Sequence, residues 1–210
     1  MKPRIPSIVC STVLLLCVIT YLPGCATTGM ERATKTTETT QKVETDYRET
    51  SLQIVATNAS LRKLVLAPQT DIKEAYDDYA KDVNKMEKLS ERLNKHTEKM
   101  QSQREEYFAE WDSSYTNPRI QTLSEQRRNE LRQTYAKIPE ASIGVKGTLN
   151  SYLTDIRDIQ TYLSNDLSPQ GIESIKPIVR KAIYDGERVQ ESIEPLLEAF
   201  DQVKAVISPE

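Results

Sequence analysis

The stretch Ile72–Trp111 constrains this chain more than any other. Ile72, Tyr79, Met86, Leu93, Met100 and Tyr107 recur in strict heptads, and a second row four residues on reads Tyr76, Val83, Ser90, Thr97, Arg104 and Trp111. No glycine or proline interrupts it. Positions spaced three and four apart share one face of an α-helix, so the pattern predicts a single amphipathic helix. At 1.5 Å per residue that helix is roughly 60 Å long. It cannot bury its apolar stripe alone, so helices of similar length must lie beside it.

The rest of the chain supplies them. Val43, Tyr47, Thr50, Ile54, Leu61, Leu64 and Val65 keep a helical rhythm until Ala67-Pro68, where the residue before proline is pushed out of the α region. Thr70 or Asp71 then caps the central helix, with Glu74 placed as in a capping box. Asn117-Pro118 is the next start signal, an N-cap followed by proline at the first helical position. Ile120, Leu123, Arg127, Leu131, Tyr135 and Ile138 carry the rhythm to Pro139, which is expected to break or kink the helix. It resumes from Val145 to Leu163. After Asn165–Pro169 a last helix runs from Ile172 to Ile207, bent at Pro177 and Pro195. The expected fold is all-α, an elongated up-down-up-down four-helix bundle over residues 41–208, with helices at about 41–66, 71–111, 118–164 (kinked near 139–147) and 169–207.

The first 24 residues stand apart. Lys2 and Arg4 form a positive start, and Ile8–Tyr21 is an apolar run shorter than the about 20 residues a membrane span needs. The run ends in Leu22-Pro23-Gly24-Cys25, which resembles the lipobox of bacterial lipoproteins; Pro23 departs from the usual Ala, Ser, Thr or Val. The resemblance implies cleavage before Cys25, two acyl chains on its sulfur and one on its new amine. Ala26, with no Asp there, implies sorting to the outer membrane. Residues 25–40, rich in threonine, read as a lipidated tether that turns helical around Met30 or Ala33, since threonine is a poor helix former.

Cysteine and charge agree with an envelope lipoprotein. Cys10 and Cys17 would leave with the signal, so Cys25 would be the one thiol of the mature chain. A lone cysteine at a new N-terminus is best understood as a lipid attachment site. Removing Lys2 and Arg4 leaves 26 basic against 31 acidic residues, a net charge of −5. An acidic chain without a basic cluster argues against nucleic acid and against electrostatic docking on anionic lipid.

Little in the sequence points to catalysis. His96, the one histidine, flanks the seam one turn before Met100, with no second histidine or CxxCH to make a haem or zinc site. Adjacent acids such as Asp77-Asp78 and Glu105-Glu106 belong to solvated helix faces. The chain has no Gly-rich phosphate loop. An enzyme is not expected, nor a metal or cofactor. Tyrosines on the seam read as core residues whose hydroxyls reach the edge. Ala141–Thr148, with Gly144 and Gly147, reads as a close helix approach or a partner-binding waist. Tyr107, Phe108, Trp111 and Tyr115 should cluster at the membrane-proximal end, where Trp and Tyr favour the lipid boundary.

Two arginines sit where apolar residues belong. In a hairpin turning near Tyr115, Leu93 is level with Ile138, Met100 with Leu131, and Arg104 with Arg127. Either both arginines snorkel outward along their stems, or a polar layer forms in which Asp201, with Glu31 or Glu38, neutralises them. The expectation is at least one carboxylate within salt-bridge distance of Arg104 or Arg127.

Tyr115-Thr116-Asn117-Pro118, Leu123–Arg128, Lys137–Ser142 and Tyr162–Leu167 resemble a family of uncharacterised bacterial envelope lipoproteins. The resemblance covers nearly the whole mature chain and implies a helical domain, with no activity to carry over. The expected role is a structural or protein-interaction element of the envelope, anchored by lipid, periplasmic and meeting an unknown envelope protein. The alternatives are a binding module for an apolar molecule such as a lipid or quinone, and a coiled-coil dimer formed through the central helix.

Overall fold

A computed structural model describes residues 29–111 and 114–207. They form four helices: α1 (Gly29–Leu66), α2 (Ile72–Glu110), α3 (Pro118–Asn165) and α4 (Pro169–Ile207). Short connections make sequential neighbours antiparallel, and the four close into a bundle. In it α1 lies beside α2 and α4, while α3 lies mainly on α4. The α2–α3 interface is the thinnest.

The first heptad row of α2 is buried throughout, whereas in the second row only Val83 is buried and Tyr76, Ser90, Thr97, Arg104 and Trp111 are partly buried. Tyr79, Val83, Met86, Leu93 and Met100 are buried against Ile156, Ile159 and Leu163 of α3, Ile193 and Phe200 of α4, and Ile54 and Leu61 of α1 in one continuous core. Asn117 caps α3 as anticipated, its Oδ1 accepting from the Arg119 backbone N–H at 2.9 Å with Pro118 in the first turn. Asp71 occupies the N-cap of α2 but makes no capping bond. Its Oδ1 instead accepts from the Thr70 hydroxyl at 2.7 Å.

Three local expectations need correction. The threonine-rich segment turns helical at Gly29, next to the expected Met30, but it is part of the first bundle helix itself, which therefore starts well before residue 41. Thr36 and Thr40 are wholly buried, and their hydroxyls donate to the carbonyls of Arg32 and Thr36, each at 2.8 Å. A threonine that satisfies its hydroxyl within its own helix shows the core only its methyl, and packing then overrides weak propensity. Pro139 does not interrupt α3, which is helical from Pro118 to Asn165. A Cβ on Gly144 or Gly147 would meet nothing within 4 Å, so this waist is open surface rather than a close approach.

The glycine that does mark a close approach is Gly186. A Cβ there would lie 2.8 Å from Asn58 Nδ2, 2.9 Å from Tyr152 Cε2 and 3.0 Å from Ile54 Cγ2. The absent side chain lets α4 press onto the polar centre of the bundle.

Candidate functional site

The buried face of α1 is largely polar, and it organises the most ordered chemistry among the described residues. Glu44 and Asp46 are 6% and 3% exposed. Neither carboxylate could stay charged there without partners, and each has them. Asp46 accepts from Arg92 Nε at 2.8 Å and lies 2.5 Å from His96 Nδ1, both on α2. Arg92 also holds Glu49, and hydrogen bonding to Glu49 keeps its guanidinium above the ordinary arginine value. Glu44 meets Arg48 one turn along α1 at 2.9 Å and Lys204 of α4 at 2.6 Å. Burial works to lower the Lys204 ammonium, but bonds to Asp201 and Glu44 outweigh it and hold the group above the usual lysine range.

These two clusters are the polar layer of the bundle, and they stand where the sequence did not place them. Asp201 pairs with Lys204 at 2.8 Å on its own helix. Arg104 has Glu105 at 3.8 Å, and Arg127 has Glu130 at 2.8 Å and also donates to the Val206 carbonyl at 2.8 Å. A carboxylate is therefore within reach of each arginine, but it comes from the arginine's own helix. The expected layer of Arg104, Arg127 and Asp201 is not formed.

The reason is register. Met100 and Ile138 line one cavity, whereas a hairpin turning near Tyr115 sets Met100 opposite Leu131. That is seven residues, or about 10 Å, along α3. Near the turn, Trp111 Nε1 donates to Ser124 Oγ at 3.1 Å. Residues Pro118–Leu123 therefore run past the end of α2 before α3 meets its neighbour.

Tyrosine hydroxyls fasten the thin α2–α3 interface. Tyr79 donates to the Ile156 carbonyl at 2.6 Å and Tyr76 to the Gln160 carbonyl at 3.2 Å. Burial pushes the phenols of Tyr79, Tyr135 and Tyr152 well above the ordinary tyrosine value, and that of Tyr47 to about 12. Such groups stay neutral. Two of them serve as donors, Tyr79 to the Ile156 carbonyl and Tyr152 to Asn58, whereas the buried Tyr135 hydroxyl has no hydrogen-bond partner among the described residues. They face the core instead of reaching its edge.

The cavity lined by Val43, Tyr47, Met100, Tyr135, Ile138 and Phe200 measures about 30 Å³. A space of that size holds one or two waters and falls far short of an acyl chain or a quinone ring. Among the described residues no cluster of His, Cys, Asp and Glu could hold a metal ion, and no helix is long and apolar enough to cross a membrane. His96 is taken up by its carboxylate partner.

The aromatics expected to cluster at the membrane-proximal end divide. Tyr107 and Phe108 are buried and packed edge to face, with ring centroids 5.4 Å apart, and Trp111 stands edge-on to Tyr107 at 5.6 Å. They close the base of the core. The exposed apolar side chains at this end include Met30 of α1, Tyr115 of the turn, and Ile120 and Leu123 of α3, the last two 46% and 59% exposed. Leu22, Pro23, Gly24 and Cys25 lie outside the described residues.

Residues 21–208 match the family described as protein of unknown function (DUF2959), and the chain belongs to that family. No curated protein matches it, and no solved structure does.

Proposed function

We propose that this chain is a lipid-anchored protein of the bacterial cell envelope whose helical bundle serves as a structural or protein-interaction element at the outer membrane, on its periplasmic side. The observation that carries the reading is Cys25. It follows an apolar run and Leu22-Pro23-Gly24, and it precedes the first residue of α1, Gly29, by four positions. Acyl chains on that cysteine would hold the bundle by its base. The bundle itself offers mainly surface: helices of 38 to 48 residues, an interior filled by side chains, and polar clusters whose members are paired with one another. Three acyl chains would give firm anchoring where one gives only marginal binding.

Labelled fatty acid supplied to cells making the full-length chain should be incorporated, and Cys25→Ser should abolish incorporation and leave the longer precursor. Equal labelling of the variant would remove the anchor from this account. The binding-module alternative gains no support from an interior cavity of about 30 Å³, too small for an acyl chain or a quinone ring, so the interaction role is preferred.

A further inference from the structure

The core stripe of α3 does not stop where the bundle stops. Leu131, Tyr135 and Ile138 are buried, and the same helical rhythm continues backward through Arg127 to Leu123 and Ile120, which are exposed. No residue from Pro118 to Glu130 is buried. Trp111 meets α3 at Ser124, and the Val206 carbonyl, at the end of α4, meets it at Arg127. The six residues Pro118–Leu123 therefore overhang both neighbouring helices, by about 9 Å.

The overhang sits at the end from which the chain leaves the bundle. Arg32, in the first turn of α1, pairs with Glu110 at the end of α2 at 3.3 Å, so Gly29 lies at this same base. Gly29 is four positions on from Cys25, and an extended chain of that length spans at most about 14 Å. A bundle tethered so closely cannot stand clear of the bilayer, and a projection of this length fits inside that gap. Residues 118–132 also hold Arg119, Arg127, Arg128 and Arg132 against Glu125 and Glu130, a local positive excess in a chain whose net charge is −3. Apolar side chains at the tip, with Arg119 beside them and Arg127, Arg128 and Arg132 above, suit an interface of acyl chains below headgroups.

We infer that the overhanging first turns of α3 dock on the lipid surface, seating Ile120 and Leu123 at the headgroup boundary and setting the bundle's orientation to the membrane. This rests on the anchoring reading and adds a second, non-covalent contact to it. The contact is apolar in the main, so it does not need the basic cluster the whole chain lacks.

The test uses the full-length chain, purified from bacterial membranes and placed in vesicles of phosphatidylethanolamine and phosphatidylglycerol. Leu123→Cys and, on the open waist, Ile143→Cys each take an environment-sensitive fluorophore, and lipids with a spin label near the headgroup quench it. An acylated Cys25 takes no fluorophore, so the unsubstituted chain is its own control. Docking predicts quenching at position 123 at least about threefold stronger than at 143, as expected for side chains about 5–10 Å deep in the headgroup region. If the protein floats with the vesicles but quenching is equal at the two positions, the docking is overturned and the anchor stands. Disulfide-linked dimers of the Leu123→Cys chain, with no quenching at that position, would assign the patch to a second copy and overturn the docking as well. A chain that does not float, and whose Cys25 takes the fluorophore, defeats the anchoring reading and this inference with it.

Discussion

Tyr152 Oη donates a hydrogen bond of 3.0 Å to Asn58 Oδ1, tying α3 to α1 across the diagonal of the bundle. Asn58 in turn donates to the Ile183 carbonyl of α4 at 3.2 Å. Asn58 is 2% exposed and Tyr152 fully buried. One amide therefore fixes the relative height of three helices, since sliding any one by a turn would strand a buried polar group. Tyr152→Phe should lower stability by about 1–3 kcal/mol in urea denaturation. A double-mutant cycle with Asn58→Leu should show coupling, and strict additivity would count against the network.

Gly186→Ala should also destabilise, by about 1–3 kcal/mol, because the new methyl would overlap Asn58, Tyr152 and Ile54. Helix propensity alone would make the change favourable by about 1 kcal/mol. The sign of the measured effect thus decides between close approach and propensity.

The ionic layer should matter unevenly. Arg92→Ala strips a donor from the buried Asp46 carboxylate and should cost about 1–3 kcal/mol or more. Arg62→Ala, which breaks a half-exposed pair with Glu187, should cost about 0–1 kcal/mol. Equal costs in thermal unfolding would mean that Asp46 is solvated.

How much of this was legible follows from the kind of signal each feature leaves. The heptads of α2, the Asn117-Pro118 start and the four-helix arrangement rest on periodicity and local capping, which sequence carries directly. The threonines of α1 fall in a segment read as turning helical around Met30 or Ala33, but their burial was not legible, because it depends on how the neighbouring helices pack rather than on local propensity. Gly186 sits on the apolar rhythm of α4 like any small core residue, and its role depends on the height of α4 against Asn58. The expected layer of Arg104, Arg127 and Asp201 failed on a single quantity, the position of the α2–α3 turn. Once α3 overhangs α2, every pairing counted back from Tyr115 shifts by turns. Asp46 and Glu44 carried a signal that could have been found: acids on the inward rhythm of Val43, Tyr47 and Thr50, opposite Arg92 and Lys204.

High pH should unfold the bundle. The phenols of Tyr47, Tyr79, Tyr107, Tyr135 and Tyr152 are all raised above 10.0 by burial. Each binds its proton more tightly folded than unfolded, so its contribution is complete below about pH 10 and lost as pH climbs past it. For Tyr47 the loss is complete near 12. Lys204, also raised, adds to the effect in the same direction. Tyrosinate absorbance from these groups should appear together with loss of the helical circular dichroism signal. Full ionisation with helix intact would contradict their burial.

Core and overhang should separate cleanly under truncation. Leu131→Ala should cost about 2–5 kcal/mol, because the side chain is 1% exposed. Leu123→Ala, two turns earlier on the same stripe, should stay within about 0.5 kcal/mol in detergent solution. Comparable losses would mean that the bundle extends over Pro118–Leu123 and that nothing overhangs.

The central claim is the lipid at Cys25, and mass spectrometry of the mature N-terminal peptide tests it most directly. Protein extracted from bacterial membranes should begin at Cys25 and carry two acyl chains on the sulfur and one on the amine. A peptide beginning upstream of Cys25, or an unmodified Cys25 on otherwise folded protein, would contradict the account.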